Sequence, residues 1–402
     1  MARILFTVPP LTGHLNPALA VACVLAEQGH TIAWAVHAKQ IGERLPPHDA
    51  LYPLDNDEAD FAKTFAAPPA KGLDSVRLFF EDYSPLLAKR ALLPLEKAAL
   101  AFAPDIMVVD QQMLAGALVA RKLGLAWVGM VTTSATLLKM SPKLDAWVEE
   151  QYSEVQAAYL PAKQQVARPD LSPFNNLVFS IEKLLGSVHA RLDAPCVFVG
   201  PAQAGYAQNK SRQAVDFPWE WLVPDKKKIL VSLGTVSRDH ETRFFEVILE
   251  AVKELDIQVV MVAPEALAKL APANVLVRAY IPQLELLQQM DGVICHAGHN
   301  TVCETLAQGL PLIVAPIRDD QPRIANQVIE AGAGIFMRHG KVTAAAARVA
   351  IARLLSDKHL ADNARQLSAA LHAASGAVGA AKIIAALAET VVQRTPKYKC
   401  II

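Results

Sequence analysis

The amino-acid sequence predicts an α/β protein with two parallel sheets in tandem. Short runs of β-branched and aliphatic residues alternate with longer stretches of helical periodicity, which is typical of βαβ units. The alternation occurs twice. Residues 205–228, between the two halves, lose all periodicity and contain Pro218 and Pro224, as linkers do. With 402 residues, the chain is long enough for two domains that each bury a core.

The first half contains runs that predict buried strands, separated by helical stretches. The strands are Arg3–Val8, Thr31–Val36, Ile106–Asp110, Ala126–Val131 and Cys196–Val199. The helices are Pro17–Gln28, Pro85–Phe102 and Met113–Leu123. Asn16 is a suitable N-cap and Pro17 a suitable first helical residue, so we expect the first helix to begin there and His14 to lie in the preceding loop.

The second half repeats the pattern and ends in helices. Its predicted strands are Ile229–Leu233, Ile257–Val262, Val275–Arg278, Gly292–Cys295 and Leu312–Ala315. After Val342 the sequence is rich in alanine and has helical periodicity to about Arg394. We therefore predict an N-terminal domain at 1–204, a linker at 205–228, a C-terminal domain at 229–385, and a helix end and tail at 386–402.

Charge composition excludes a partner that is bound through a global electrostatic field. Lysine plus arginine total 39 and aspartate plus glutamate total 39, so the formal net charge is zero. Nucleic acid is therefore not expected as a partner. The run Lys226–Lys228 is interpreted as a solvated cluster in the linker, and Asp55 and Asp57 as part of an exposed acidic loop and not as metal ligands.

The cysteines and the apolar runs bear on the compartment. The five cysteines include no CxxC pair, which favours neither a disulfide framework nor a zinc site and fits a reducing, cytoplasmic location. Pro9 and Pro10 interrupt the apolar start of the chain, so we expect no signal peptide. We also expect no membrane-spanning segment. Apolar helices of the first domain could contact a bilayer peripherally, although core packing is the favoured use of such faces.

Two residues of the first half predict a general base. In open α/β sheets, ligands bind beyond the carboxyl ends of the strands. His14 follows the first predicted strand and Asp110 ends the third, so both belong to one sheet edge. A carboxylate bonded to one imidazole nitrogen makes the other nitrogen a better base. The alternatives are a surface histidine and an aspartate that caps the next helix.

The second half carries features of an anion site. Glycine turns follow two strands, at Gly234-Thr235 and at His296-Ala-Gly298, and a helix is predicted to begin near His299. The N–H groups and dipole of such a helix favour a phosphate. Asn300 and Glu304 are four residues apart and share a helix face. An anion site followed by a carboxylate fits a diphosphate next to the diol of a ribose.

These motifs occur together in a recognisable order. The segment from Tyr280 to Asn326 contains P-Q, H-x-G-x-N-T-x-x-E, P-L-x-x-x-P and D-Q, and it is preceded by Gly13–Pro17 and Ser232–Thr235. The set resembles the sugar-donor signature of the UDP-dependent family of small-molecule glycosyltransferases. The resemblance covers essentially the whole chain. It implies the GT-B architecture, with two Rossmann-like domains facing across a cleft, which agrees with the tandem sheets predicted above.

Carried over position by position, the resemblance implies roles for individual residues. His14 corresponds to the general base and Asp110 to its partner. The implied donor-binding residues are Gly234, Thr235, Tyr280, Ile281, Gln283, His296, Gly298, Asn300, Thr301, Glu304, Asp320 and Gln321. Among these, Thr235, His296, Asn300 and Thr301 correspond to diphosphate contacts, Tyr280 to the aromatic under uracil, Ile281 to a backbone contact to the base, Gln283 and Glu304 to ribose contacts, and Asp320 and Gln321 to readers of the sugar hydroxyls.

The sequence departs from the family pattern in the donor segment. Plant members usually carry tryptophan where this chain has Tyr280, which weakens stacking but keeps its mode. His299 is bulkier than its counterpart in many relatives, and Arg318-Asp319 precedes the D-Q pair. The sugar contacts therefore follow less directly from the resemblance than the nucleotide contacts do.

The acceptor is expected to be a lipophilic small molecule bound by the N-terminal domain. Candidate acceptor contacts are Phe79, Phe80, Tyr83, Thr132 and Trp147, and the alternative for the aromatic ones is plain core packing. The overall pattern is closest to bacterial members that glycosylate natural products such as carotenoids and macrolides.

The implied reaction is an inverting transfer of a hexose, with glucose as the first expectation, from a UDP-sugar co-substrate, without a metal or other cofactor. A dTDP-sugar is the main competing donor. A UDP-N-acetylglucosamine epimerase would share the architecture, but the His14–Asp110 pair favours transfer to a separate acceptor. A dinucleotide oxidoreductase has only the fragment Gly332-Ala-Gly334 in its favour, which lacks a third glycine. A non-catalytic nucleotide-sugar sensor would need neither His14 nor Asp110.

Overall fold

The computed structural model describes residues 1–54, 73–137, 141–186, 194–202, 216–234 and 242–394. The chain forms two compact units. The first unit comprises Met1–Ser180, Val188–Asn209 and Ala374–Ile402, and the second comprises Ile181–Ser187 and Lys210–Ala373. Each unit is an α/β structure built around one parallel sheet, as the alternating pattern of the sequence predicts.

The first unit contains a seven-stranded sheet in the order β3-β2-β1-β4-β5-β6-β7. The strands are β1 (Arg3–Thr7), β2 (Thr31–Val36), β3 (Ala50–Pro53), β4 (Ile106–Asp110), β5 (Trp127–Val131), β6 (Asn175–Val178) and β7 (Cys196–Phe198). All neighbouring strands run parallel. The reversal of strand order beside β1 places the ends of β1 and β4 next to each other, which is where such sheets bind ligands.

Helices cover the two faces of this sheet. They are α1 (Thr12–Glu27), α2 (Ala38–Ile41), α3 (Leu73–Arg77), α4 (Ser84–Phe102), α5 (Leu114–Leu123), α6 (Pro142–Ala157) and the last helix, α14 (Gly376–Arg394). A π-helical segment, Leu78–Tyr83, leads directly into α4. One apolar core lies between the sheet and the pair α1 and α14, and a second lies between the sheet and α4, α5 and α6.

The second unit contains a six-stranded parallel sheet in the order β10-β9-β8-β11-β12-β13. Its strands are β8 (Lys227–Ser232), β9 (Ile257–Val262), β10 (Val275–Arg278), β11 (Gly292–Cys295), β12 (Leu312–Val314) and β13 (Gly334–Phe336). Its helices are α7 (Glu182–Leu185), α8 (Thr242–Val252), α9 (Gln283–Leu287), α10 (His299–Ala307), α11 (Gln321–Glu330), α12 (Ala344–Ser356) and α13 (Lys358–Ala373).

The start of α1 differs from the prediction. The helix begins at Thr12, so Pro17 lies inside it and His14 is on its first turn instead of in a loop. Asn16 does not cap the helix because its side-chain oxygen accepts a hydrogen bond of 2.6 Å from the Arg44 guanidinium. Arg44 also donates to the Thr12 hydroxyl at 3.0 Å. A long-range contact, which local sequence does not reveal, thus replaces the predicted cap.

The division of the chain differs from the predicted boundary at residue 385. The chain leaves the second unit after Ala373, and α14 joins the first unit. Ala377, Ala381 and Ile384 of α14 are fully buried in the core that includes α1. At the linker, β8 begins at Lys227, so part of the predicted linker is sheet; Lys226 and Lys227 pair with acidic side chains of the second unit.

Among the described residues, one stretch, Lys358–Gln393, is apolar enough to span a bilayer by length and composition alone, as core helices of soluble proteins also are. The stretch covers α13 and α14, which are separate helices, and Gly376, the first residue of α14, has a left-handed conformation (φ 55°). The buried face of α14 packs on α1.

Candidate active site

The imidazole of His14 and the carboxylate of Asp110 form a hydrogen-bonded pair in the first unit. His14 Nδ1 lies 3.0 Å from Asp110 Oδ1 and 2.9 Å from Oδ2. His14 is on the first turn of α1, directly after β1, and Asp110 is the last residue of β4, which pairs with β1. The Asp110 side chain is fully buried, whereas 12% of the His14 side chain is exposed. The sheet therefore brings together the two residues that sequence reasoning paired.

Thr132 is the third member of this cluster. It follows β5, and its Oγ1 lies 2.7 Å from His14 Nδ1 and 3.2 Å from Asp110 Oδ2. The backbone N–H of Gln112 donates to Asp110 Oδ1 at 2.9 Å. The carboxylate is thus held on both oxygens. Thr132 was predicted as an acceptor contact, which stays a prediction, and the structure places its hydroxyl against the His14–Asp110 pair.

A buried network of hydrogen-bonded polar side chains lies next to the end of β4. Gln111 donates from Nε2 to Asp170 Oδ2 at 2.7 Å and accepts from the Thr136 hydroxyl at 2.5 Å. Arg168 forms a bidentate pair with Asp170, with distances of 2.8 and 2.7 Å. No sequence motif points to these residues, because their link to Asp110 depends on packing between loops that are far apart in the chain.

The predicted acceptor aromatics form one cluster in the first unit. Phe79 and Phe80 lie on the π-helical segment with ring centroids 4.9 Å apart, and Phe79 is 5.6 Å from Tyr83. Phe80 makes edge contacts with Trp147 at 5.9 Å and with Tyr152 at 5.7 Å. Burial and the nearby charge of Asp110 raise the pKa of Tyr83. The cluster therefore extends from the surface of the core to the neighbourhood of Asp110.

In the second unit, two glycines pack against the His296 imidazole. His296 follows β11, Gly234 lies just beyond β8, and Gly298 is the N-cap of α10. A Cβ added at Gly234 would lie 2.7 Å from Cε1 of His296, and one added at Gly298 would lie 2.5 Å from its Nε2. Side chains larger than hydrogen do not fit at either position. Ala297, between His296 and Gly298, has a φ of 62°, which is strained for a residue with a Cβ.

His296 is a neutral side chain at pH 7. Burial lowers its pKa to about 4, although the charge of Asp320 and a hydrogen bond to the Ser232 backbone oppose the shift. The positive charge of Arg318 lowers the pKa further. A neutral imidazole offers a ring N–H as a hydrogen-bond donor and carries no charge. Any attraction of the site for an anion must therefore come from other groups, including the first turn of α10, whose N–H groups the helix itself does not use.

The predicted ribose contacts lie together. Gln283, at the start of α9, donates from Nε2 to Glu304 Oε2 at 2.6 Å, and Glu304 is on α10. Tyr280 follows β10 and is 65% exposed, which suits a side chain that stacks on a ligand. Ile281 is half-buried beside it.

The D-Q pair lies where α11 begins. Asp320 is the N-cap residue of α11, and Gln321 is its buried first residue. Gln321 Oε1 accepts from the backbone N–H groups of Ile317 and Arg318 at 2.9 and 3.1 Å, so this side chain shapes the loop after β12. Its predicted contact to the sugar hydroxyls stays a prediction. Asp319 has a φ of 56°, a second strained residue at this edge.

The remaining predicted residues divide between the helix start and parts of the chain that are not described. Asn300 and Thr301 are half-buried on the first turn of α10. Thr235 lies outside the described residues, as do Asp55 and Asp57. Within the described ranges, no group of His, Cys, Asp or Glu side chains is arranged to hold a metal ion.

The chain is similar to known glycosyltransferases in sequence and in fold. Residues 246–387 match the family model "Erythromycin biosynthesis protein CIII-like, C-terminal domain". The chain is 28% identical to the NDP-glycosyltransferase YjiC of Bacillus subtilis, over 94% of this chain and 95% of that protein. The structure is similar to that of the calicheamicin glycosyltransferase CalG4, with a TM-score of 0.76 and 23% identity over 98% and 99% of the chains. It is also similar to the glycosyltransferase VinC in complex with dTDP, with a TM-score of 0.69 and 18% identity over 96% and 100%.

Two parallel-sheet α/β units with a histidine–carboxylate pair in one and a nucleotide-sugar signature in the other define a glycosyltransferase of the GT-B fold. The chain has the GT-B fold, and over nearly its whole length it is similar to glycosyltransferases that include the NDP-glycosyltransferase YjiC.

Proposed function

We propose that the enzyme transfers a hexose, with glucose as the first candidate, from a UDP-sugar to a hydroxyl group of a lipophilic natural product, with inversion and without a metal. The observation that carries this proposal is the His14–Asp110 pair, with Nδ1 held 2.9 Å from a buried carboxylate. A carboxylate at Nδ1 favours a proton on that nitrogen, so the lone pair is on Nε2. Such an imidazole is suited to remove a proton from an acceptor hydroxyl.

The proposed step is a single displacement. Nε2 of His14 takes the proton of the acceptor hydroxyl while the acceptor oxygen forms a bond to C1 of the donor sugar. The bond between C1 and the UDP oxygen breaks, and UDP leaves with that electron pair. The result is a β-glycoside when the donor is α-linked. Asp110 stabilises the imidazolium that forms, because its charge lies within hydrogen-bond distance of Nδ1.

The second unit supplies the proposed donor contacts. Thr235, the neutral His296, and the amides of Asn300 and Thr301 would hold the diphosphate and meet the charge that develops on it. The Gln283–Glu304 pair would bind the ribose, since its carboxylate can accept from both hydroxyls of the sugar. Tyr280, exposed at the end of β10, would stack on the base. Asp320 would read the sugar hydroxyls together with the amide nitrogen of Gln321.

A dTDP-sugar is the second candidate donor. The structural relative VinC was solved with dTDP, which shows that a similar fold accepts this nucleotide in that protein. The carboxylate of Glu304 favours the ribonucleotide, because a deoxyribose offers it one hydroxyl fewer. The two donors therefore differ in the number of sugar hydroxyls that can donate to the Glu304 carboxylate.

The aromatic cluster of Phe79, Phe80, Tyr83 and Trp147 supports an apolar acceptor. Phe79, Phe80 and Trp147 are only partly buried, so ring surface is accessible, and Tyr83 connects the cluster electrostatically to Asp110. The cysteines among the described residues are free thiols, which supports our placement of the enzyme in the cytoplasm.

The test is a transfer assay with UDP-glucose and dTDP-glucose against phenols, flavonoids, macrolides and hydroxylated carotenoids. We expect UDP release and a β-glycoside with wild-type enzyme, and a loss of transfer of about 100-fold or more in His14→Ala. His48→Ala is the matched control, because His48 is exposed in the same unit. Equal transfer by His14→Ala and wild type would contradict the base assignment. Interconversion of UDP-N-acetylglucosamine without an acceptor would point to an epimerase instead.

A further inference from the structure

Thr132 contacts both members of the His14–Asp110 pair. Its Oγ1 is 2.7 Å from His14 Nδ1, which is shorter than the 3.0 and 2.9 Å contacts of Nδ1 with the Asp110 carboxylate, and it is 3.2 Å from Asp110 Oδ2. Both Thr132 and Asp110 are buried. The backbone fixes their spacing, because Asp110 pairs with Met130 in the β4–β5 ladder and Thr132 lies two residues beyond Met130.

Proton positions in these contacts follow from the charge of Asp110. An ionised carboxylate can only accept, so Nδ1 at 2.9 Å must carry a proton. The Thr132 hydroxyl then cannot donate to Nδ1, and it donates to Asp110 Oδ2 instead while its lone pair faces the Nδ1 proton. If the Thr132 hydroxyl donated to Nδ1 instead, Nδ1 would carry no proton. Its lone pair would then point at the negatively charged carboxylate of Asp110, and the two would repel each other. The arrangement admits one tautomer of His14, with the lone pair on Nε2.

The carboxylate alone does not fix the orientation of the ring. Its two oxygens lie at almost equal distances from Nδ1, and rotation about the Cβ–Cγ bond of histidine is soft. The contact of Thr132 on one side of the carboxylate restricts this rotation of the His14 imidazole. Threonine suits that task because its β-branched side chain has few rotamers and is buried here.

We propose that Thr132 is a positioning residue that holds the His14 imidazole in its base-competent orientation and tautomer. This inference rests on the proposed function of His14 as a general base. It assigns Thr132 to the catalytic pair and not to the acceptor pocket. The effect on the reaction is through His14, so loss of the hydroxyl should lower kcat without weakening the binding of either substrate.

The test compares Thr132→Val, which keeps the shape and removes the hydroxyl, with Thr132→Ser, which keeps the hydroxyl. Thr133→Val is the matched control, because Thr133 is the next residue and also buried. In Thr132→Val we expect kcat to fall about tenfold or more, with KM for donor and acceptor changed less than about threefold. The kcat of Thr132→Ser should stay within about threefold of the wild-type value, and the kcat of Thr133→Val should also stay within that range.

A second readout needs no substrate. Nitrogen-15 NMR of histidine-labelled enzyme, with the His14 signals assigned by their loss in His14→Gln, reports which ring nitrogen carries the proton. We expect a lone pair on Nε2 in wild type and in Thr132→Ser, and a shift toward a mixture of tautomers in Thr132→Val. This readout separates failure of the inference from failure of the proposed function, since it is measured whether or not sugar is transferred.

Two results would overturn the inference. One is an unchanged kcat and an unchanged His14 spectrum in Thr132→Val. The other is a rise in KM for the acceptor with kcat unchanged, which would make Thr132 an acceptor contact. If Thr132→Val unfolds, Thr132→Ala replaces it in both measurements, with the same expected and overturning results.

Discussion

His14 Nδ1 lies 2.9 Å from Asp110 Oδ2, although 96 positions separate the two residues in the sequence. The contact depends on the pairing of β1 with β4, because His14 follows the one and Asp110 ends the other. Since the sheet sets the distance, the pair is organised before any ligand binds. Pre-organisation of this kind lowers the cost of orienting a base during the reaction.

Replacement of Asp110 by asparagine should separate the chemical step from donor binding. Asparagine keeps the shape but loses the charge that stabilises a protonated His14, so we expect kcat to fall about 100-fold or more. The affinity for UDP, measured by calorimetry, should stay unchanged because Asp110 belongs to the first unit. Glu149→Gln, an exposed carboxylate of the same unit, is the control. A loss of UDP affinity in Asp110→Asn that matches its loss of kcat would refute this separation.

Gly298→Ala should weaken donor binding. The added Cβ would lie 2.5 Å from His296 Nε2 and would displace the ring or the start of α10. We expect the KM for the nucleotide sugar to rise about tenfold, in line with the displacement of one positioned hydrogen-bond donor. Gly340→Ala is the matched control, because nothing lies within 4 Å of its added Cβ. If both variants bind UDP equally well, close packing at His296 has no part in donor binding.

The low pKa of His296 should make the stability of the second unit depend on pH. Burial lowers the pKa from the ordinary 6.5 to about 4, so the unfolded chain takes up a proton before the folded protein does. The stabilising contribution of a neutral His296 is therefore complete above pH 6.5 and is lost as pH falls toward 4. Urea unfolding at pH 7, 5.5 and 4.5 should show a steeper loss for wild type than for His296→Gln. Parallel curves for the two proteins would show that His296 titrates normally.

Glu304→Ala should discriminate between the two candidate nucleotides. The carboxylate is positioned by Gln283 at 2.6 Å, and a ribose offers it one more hydroxyl than a deoxyribose does. We expect the variant to lose more affinity for UDP than for dTDP, with a difference of about 1 kcal/mol for one hydrogen bond. Glu285→Ala, an exposed glutamate on α9, should bind both nucleotides as wild type does. Equal losses for UDP and dTDP in Glu304→Ala would remove the argument for a ribonucleotide donor.

Ile384→Ala should destabilise the first unit and leave the second largely unaffected. Ile384 is fully buried in the core shared by α1 and α14, so its truncation should cost about 2–4 kcal/mol. Ile383→Ala, at the adjacent and only partly buried position, should cost less. Hydrogen exchange resolves the two units: β1 and β2 should lose protection, whereas β8 and β11 should keep theirs. A loss confined to β8 and β11 would assign α14 to the other unit, as the predicted boundary did.

The strands that the sequence predicts well are those marked by apolar runs. β2, β4, β9, β10 and β11 have the predicted bounds, because such runs mark them. β3, β6 and β13 were not predicted. β3 is an edge strand that ends in Pro53, β6 begins with two asparagines, and β13 is an edge strand without a buried residue. In each case pairing with a neighbour, and not local composition, defines the strand.

The candidate site likewise contains residues that sequence patterns locate and contacts that only tertiary packing creates. His14, Asp110, His296 and Glu304 are located by their position after strands or on a helix face, a rule that needs no distances. Thr132 obeys the same rule, since it follows β5, but a threonine carries no charge that would link it to the His14–Asp110 pair, and it was predicted as an acceptor contact. Two other contacts could not be predicted from a position after a strand or on a helix face. They are the hydrogen bond from Arg44 to Asn16 on α1 and the hydrogen bond from Gln111 to Asp170, and both join distant segments through tertiary packing.

The return of α14 to the first unit has a consequence for biosynthesis. The sequence of the second unit ends at Ala373, whereas α1 packs against α14, which is made after that unit. The apolar face of α1 therefore lacks its covering helix while the second unit is being synthesised. The first unit, and with it the final packing around His14, is completed after the second, so a chain truncated before residue 374 would keep one complete unit and leave the apolar face of α1 uncovered.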